Sequence, residues 1–151
     1  MNEYRNAEGY SDPTAGEAVS TVTWGERKRS MPRNRKSVVY LCSRYAGDIQ
    51  KNIAKARSFC RFAVEHGYVP IAVHLFYPQF LRDEDPIERK QGMTCGKALM
   101  DRCDEVWFFG THFSKGMREE YLHARRKGYR IRCFAMDCRE LTGNGGSDGS
   151  V

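Results

Sequence analysis

The stretch 37-SVVYLCSRYAGDIQKNIAKARSFCRFAVEHGYVPIAV-73 decides the fold. Ser37–Cys42 is an apolar, β-branched run of the kind that fills a strand buried on both faces. After a short loop, Ile49, Ile53, Ala56, Cys60, Ala63 and Val64 recur at helical spacing and form one apolar stripe. Asp48 can cap the start of that helix and Gly67 its end. Val69–Val73 (VPIAV) then reads as a second strand.

The alternation continues along the chain. A loop, 74-HLFYPQFLRDED-85, leads to Asp85-Pro86-Ile87-Glu88, which carries a cap, a proline at the first helical position and a glutamate three residues on. Glu105–Phe109 (EVWFF) predicts the third strand. A helix follows from Lys115 to Gly128, and Arg130–Phe134 predicts the fourth strand. Strands alternating with helices give an α/β fold, a flavodoxin-like or Rossmann-like doubly wound parallel sheet. Right-handed crossovers order it 2-1-3-4, with a fifth strand as an open option. Ligands in such sheets bind beyond the strand C-termini, where the strand order reverses. That point lies between strands one and three, at loops 43-SRYAGD-48 and 110-GTHFSK-115.

A chain of 151 residues with 40% hydrophobic and 12% aromatic residues suits one domain with a substantial core. The expected organisation is a disordered polar and basic extension over 1–36, a folded domain over 37–139 and a flexible tail over 140–151. No apolar run approaches the roughly 18 residues of a membrane helix, and no signal-peptide pattern opens the chain. The expectation is a cytoplasmic protein with no membrane partner. Six cysteines form no C-x-x-C pair and read as small buried hydrophobes, with no metal and no cofactor expected. Asp83, Glu84 and Asp85 offer a weaker metal-binding alternative to a solvated capping loop. Net charge is +6, much of it from a basic run within 27–36, which leaves contact with nucleic acid open but not favoured.

The chemistry concentrates at the switch point. At about 100° per residue, Met117, Tyr121 and Ala124 share the face of the third helix that meets the sheet. Glu120 falls at the edge of that face and Glu119 on the solvent side. Glu120 is therefore the candidate nucleophile, unless it is a rim glutamate paired with Lys127 or Arg44. Ser114 is a natural N-cap, and Gly116 leaves room for a phosphate or sugar at the helix start. Ser43, Arg44, Tyr45 and Gly47 form the opposing loop. His74, His112 and Phe80 complete the candidate ligand-binding set, and Tyr77–Phe80 suits a lid, a base-stacking wall or a subunit contact. Phe62, off the helical stripe, is a candidate dimer contact, and Trp107 a core residue. Neither G-x-G-x-x-G nor a P-loop is present.

The strings VVYLCSRYAGDIQKNIAKARSFCRFAVEHGYVPIAVHLFYPQFL, GKALMDRCDEVWFFG and SKGMREEYLHA resemble a small bacterial and phage domain family of uncharacterised function, over about 37–136. The chain is also similar in pattern to nucleoside 2-deoxyribosyltransferases and to 2'-deoxynucleoside 5'-phosphate N-hydrolases. Those enzymes cleave the N-glycosidic bond with a glutamate in a G-x-x-x-E-x-x-x-A pattern, which here falls on Gly116, Glu120 and Ala124. The transferases have an aspartate six residues before the nucleophile. Here Ser114 stands there, as serine does in the nucleotide hydrolases, where it helps hold the 5'-phosphate. Ser43 falls where their first loop contacts phosphate. The resemblance thus implies a nucleotide-type ligand and sites completed across subunits, in a homodimer or higher homo-oligomer. Two departures stand out. The uncharacterised family tends toward C-S-P-Y-R-G-D, whereas this chain has its arginine at Arg44 and alanine at Ala46. The enzymes' acidic residue eight before the one opening strand three is replaced by Gly96, with Asp101 or Glu88 as substitutes to consider.

The leading expectation is an enzyme that cleaves or transfers at the N-glycosidic bond of a (deoxy)nucleotide. Glu120 would attack, Tyr45 would orient sugar or nucleophile, and His74 or Phe80 would wall the base. A non-catalytic binder or sensor of a nucleotide or nucleotide-derived signal is the second reading, favoured by Gly96. A nucleic-acid-associated accessory protein is the third.

Overall fold

In the computed structural model, residues 34–142 are described. Their regular elements all belong to the unit that begins at Lys36. The expectations for 1–33 and for 143–151 lie outside the described residues.

The elements run β1 (Val38–Cys42), α1 (Ile49–Glu65), β2 (Val69–Ile71), two 3-10 turns (Val73–Leu75 and Tyr77–Gln79), α2 (Pro86–Met100), β3 (Glu105–Phe109), α3 (Lys115–Lys127) and β4 (Arg130–Phe134). The four strands form one parallel sheet in the order β2-β1-β3-β4. This is a doubly wound Rossmann- or flavodoxin-like α/β fold, with the strand order reversing between β1 and β3. Among the described residues there is no fifth strand. After β4 the chain turns at Cys138 (φ 66°) and returns as an isolated antiparallel bridge between Phe134 and Glu140. Tight reversal leaves that segment too little length to run parallel.

Sequence alternation along β1 and β3 assigns the two faces of the sheet. Tyr40, Cys42, Val106 and Phe108 point to one side, where α2 and α3 bring Met100, Met117 and Ala124. Val39, Leu41, Trp107 and Phe109 point to the other, where α1 brings Phe59 and Ala63. Both central strands are thus covered twice, which is why they read as unbroken apolar runs.

The buried face of α1 differs from the stripe read in sequence. Ala56, Phe59 and Ala63 are buried, while Ile49 and Val64 are exposed. Phe59 stacks on Phe109 with ring centroids 4.1 Å apart. Phe62, half-buried, packs edge-on against Phe109 and Phe134. The aromatic shelf of β3 and β4 draws both phenylalanines inward, rotating the buried face away from the aliphatic residues.

Strand β2 is shorter than its apolar run, because Val73 turns inward and opens the first 3-10 turn. The caps follow the sequence signals. Asp48 accepts from the Lys51 amide, Asp85 from Ile87 and Glu88, and Ser114 from Met117. Gly128 closes α3 in the left-handed conformation (φ 71°), where its amide reaches the Ala124 and Arg125 carbonyls.

Candidate functional site: a buried carboxylate at the switch point

Glu120 is 4% exposed, while its neighbour Glu119 is on the surface. Burial of a carboxylate is costly unless hydrogen bonds replace water. Two residues of β1 supply them. The Tyr40 hydroxyl donates to Oε1 at 2.6 Å, and the Cys42 thiol donates to Oε2 at 2.6 Å. Tyr40 and Cys42 share a face because side chains two apart on a strand point the same way. Burial first, then the Glu120 carboxylate, pushes both their pKa values well above the ordinary range. Both therefore remain protonated donors across the physiological range. The rim pairings considered from sequence, Lys127 or Arg44, are not the ones the carboxylate makes.

Gly96 explains how the tyrosine reaches this position. A Cβ there would lie 3.2 Å from the Tyr40 hydroxyl and 3.8 Å from Val73. The place where the resemblance looks for a carboxylate is thus given over to the approach of a phenol. The proposed substitutes divide. Asp101 is engaged with His123 (2.8 Å) and Tyr129 (2.9 Å) beyond the last turn of α2. Glu88 lines the same crevice as Glu120 and pairs with Arg82 at 3.2 Å.

The crevice beside Glu120 has a volume of about 50 Å³. Tyr45 and His74 line it and stack on each other, centroids 4.9 Å apart at 15°. Burial lowers the pKa of His74, with Glu120 and Asp83 pulling partly the other way. Burial also raises Tyr45, helped by the Asp83 and Glu84 carboxylates. Arg82, Asp83 and Arg89 form the charged mouth. Asp83 pairs with Arg89 at 3.3 Å and Asp85 with Arg82 at 3.3 Å. Asp83 and Asp85 are therefore committed to ion pairs and a helix cap. Among the described residues no group of three or more His, Cys, Asp or Glu is arranged to hold a metal ion.

The other candidates spread outward. Phe80 lies on an outer shelf with Tyr45 and Pro78, exposed at 57% and packed on Phe76 and Tyr77. Ser43 is buried at the end of β1. Ser114 caps α3 through its Oγ, and Gly116 follows with no side chain packed into its place. Arg44, Gly47 and His112 line a separate groove on the α1 side of the sheet. The single site expected from the two loops is thus two depressions, divided at adjacent residues: Arg44 lines one and Tyr45 the other.

Sequence reading missed Tyr40 and Cys42. The available signal was polar tips at alternate positions of a strand buried on both faces. A buried phenol needs a hydrogen-bond partner, and the same face carries the helix bearing Glu120. No helix among the described residues is long and apolar enough to cross a membrane.

A comparison with curated proteins finds no match. Residues 37–134, more than half of the chain, match the family described as a domain of unknown function (DUF7768), and the chain belongs to that family.

Proposed function

We propose that this protein acts on the N-glycosidic bond of a nucleotide-type ligand through Glu120. The observation that carries this reading is a buried carboxylate held by two donors of β1 and still lining a crevice beyond the C-terminal ends of β1 and β2. In the proposed reaction Glu120 bonds to the anomeric carbon. The base nitrogen leaves with the C–N electron pair and takes a proton from water. A second water cleaves the glycosyl ester, returns the carboxylate and releases a proton. Transfer to another base instead of water would make the same site a transferase. Tyr40 and Cys42 orient the nucleophile, and the Tyr45–His74 stack offers a flat wall to the sugar or base. The resemblance to deoxyribosyltransferases and nucleotide N-hydrolases supports the assignment of Glu120, Ser114 and Gly116. The small volume supports a ligand that inserts only its reacting edge beside Glu120.

The second reading, binding without turnover, is favoured by Gly96, since no carboxylate occupies that place and the other crevice carboxylates besides Glu120, Glu88 and Asp83, are ion-paired. Incubation with deoxynucleoside monophosphates, NAD and ADP-ribose compounds separates the two. Chromatography follows released base, and thermal shift follows binding. Base release that disappears in Glu120→Ala is the expected result. Stabilisation without release would assign the crevice to a sensor.

A further inference from the structure

The second groove differs from the Glu120 crevice in size and charge. It measures about 470 Å³, within the range of small-ligand sites. Three cations line it, Arg44 from the β1–α1 loop and Lys51 and Lys55 one turn apart on α1, with Asp48 as the lone carboxylate. Asp48 already accepts the Lys51 amide as the helix cap. Among the described residues none of the three cations makes an ion pair. The crevice is the reverse case. Its two arginines, Arg82 and Arg89, are neutralised by Glu88, Asp85 and Asp83.

Positive charges gathered without partners in a concave surface repel one another and raise the local concentration of anions. Lys51 and Lys55, at i and i+4, carry that repulsion along one helix face. The loop beneath them is fixed, because the Asn52 amide donates to the Tyr45 and Ala46 carbonyls at 2.9 and 3.1 Å. Gly47 (φ 103°) supplies backbone that a side chain would strain, with nothing within 4 Å of the place a Cβ would take, whereas the same place at Gly110 is met by the Met136 sulfur at 3.3 Å. A charged group can therefore approach the β1–α1 loop closely at Gly47.

We propose that this groove, on the α1 side of the sheet and apart from Glu120, is a binding site for the phosphate end of a small molecule. Three cations within one groove match one or two phosphoryl groups. A nucleic-acid strand would need a longer basic track than Arg44 to Lys55 provides. The site does not depend on turnover at Glu120, so it stands or falls separately from the glycosidic reading.

The test is calorimetric titration of the full chain with inorganic pyrophosphate. The expected result is saturable binding that weakens with added salt. It falls about tenfold or more in Arg44→Ala and in Lys51→Glu/Lys55→Glu, a loss of about 1.4 kcal/mol or more. It is unchanged in Glu120→Gln. Arg44 and Lys51 are exposed, so thermal unfolding should show folded variants, and Arg44→Ala decides if the double charge reversal does not fold. Absence of pyrophosphate binding, equal binding by the groove variants, or loss in Glu120→Gln would overturn the proposal. So would a short single-stranded oligodeoxynucleotide that binds the groove while pyrophosphate fails to displace it.

Discussion

Glu119 and Glu120 are neighbours in sequence and opposites in environment. Helical geometry separates them by about 100°, enough to send one to water and the other under the sheet. What a wheel does not show is the pair of donors that makes burial tolerable. Tyr40→Phe removes one of them, and the expected cost is about 1–3 kcal/mol of stability together with slower base release. Chemical denaturation and single-turnover kinetics check the two effects. Gly96 is the complement of Tyr40. Adding a methyl group in Gly96→Ala should displace the phenol and cost about 1–3 kcal/mol, read in the same denaturation experiment. Gly96→Asp should be worse, since it crowds Tyr40 and adds a second carboxylate near Glu120. A stable Gly96→Asp variant with faster base release would show that the tyrosine does not do the work assigned to it. His74 gives the site a pH signature. Burial lowers its pKa in the folded protein, so the unfolded chain takes up the proton first as pH falls. Its contribution to stability is fully present above about pH 6.5 and declines as pH drops through and below that value. The fall in unfolding free energy between roughly pH 7 and 5 should be shallower in His74→Gln than in the parent protein.

At the scale of elements, residues ahead of both helix starts at the switch point, Gly47 and Asp48 before α1 and Gly110, Thr111 and His112 before α3, line the basic groove, and α3 reaches the crevice only through Glu120. Helix α1 begins over the basic groove, and α3 carries Glu120 on its second turn. Ser114 caps α3 through its Oγ, and under the proposed function it also holds phosphate. Ser114→Ala should cost about 1 kcal/mol as a lost cap. An effect on the Michaelis constant for a monophosphate substrate beyond that of the corresponding nucleoside would reveal a ligand role in addition. Helix α1 shows how a stripe read from spacing goes astray. Ala56 and Ala63 of the stripe are buried, but Ile49 and Val64 are exposed, and Phe59 and Phe62 are the residues that reach Trp107, Phe109 and Phe134. Side-chain reach and the identity of the facing strand decided the buried face, and neither is contained in the helix's own periodicity.

For the molecule as a whole, the sheet divides labour between its faces. One face, under α2 and α3, encloses the carboxylate and a narrow crevice with its charges paired. The other, under α1, ends in a broader groove with unpaired cations. The described residues include the whole family match. A chain cut to 34–142 keeps that match and both hydrophobic clusters, and is expected to unfold cooperatively. Calorimetry tests it, and a non-cooperative transition in the shorter chain would reject it.

The alternation of strands and helices, the caps at Asp48, Asp85 and Ser114, and the parallel order of the sheet were legible in sequence. Each depends on local spacing, backbone preference or the fixed hand of a crossover. Local spacing likewise picked Glu120 over Glu119. Only the tertiary structure decided what Glu120 touches. Tyr40 and Glu120 lie 80 residues apart, and their contact exists because a strand face, a helix face and the gap at Gly96 converge. The same is true of the division between Arg44 and Tyr45. The sequence places both on one loop, and only packing on opposite sides of a sheet assigns one to a basic groove and the other to the crevice of the carboxylate.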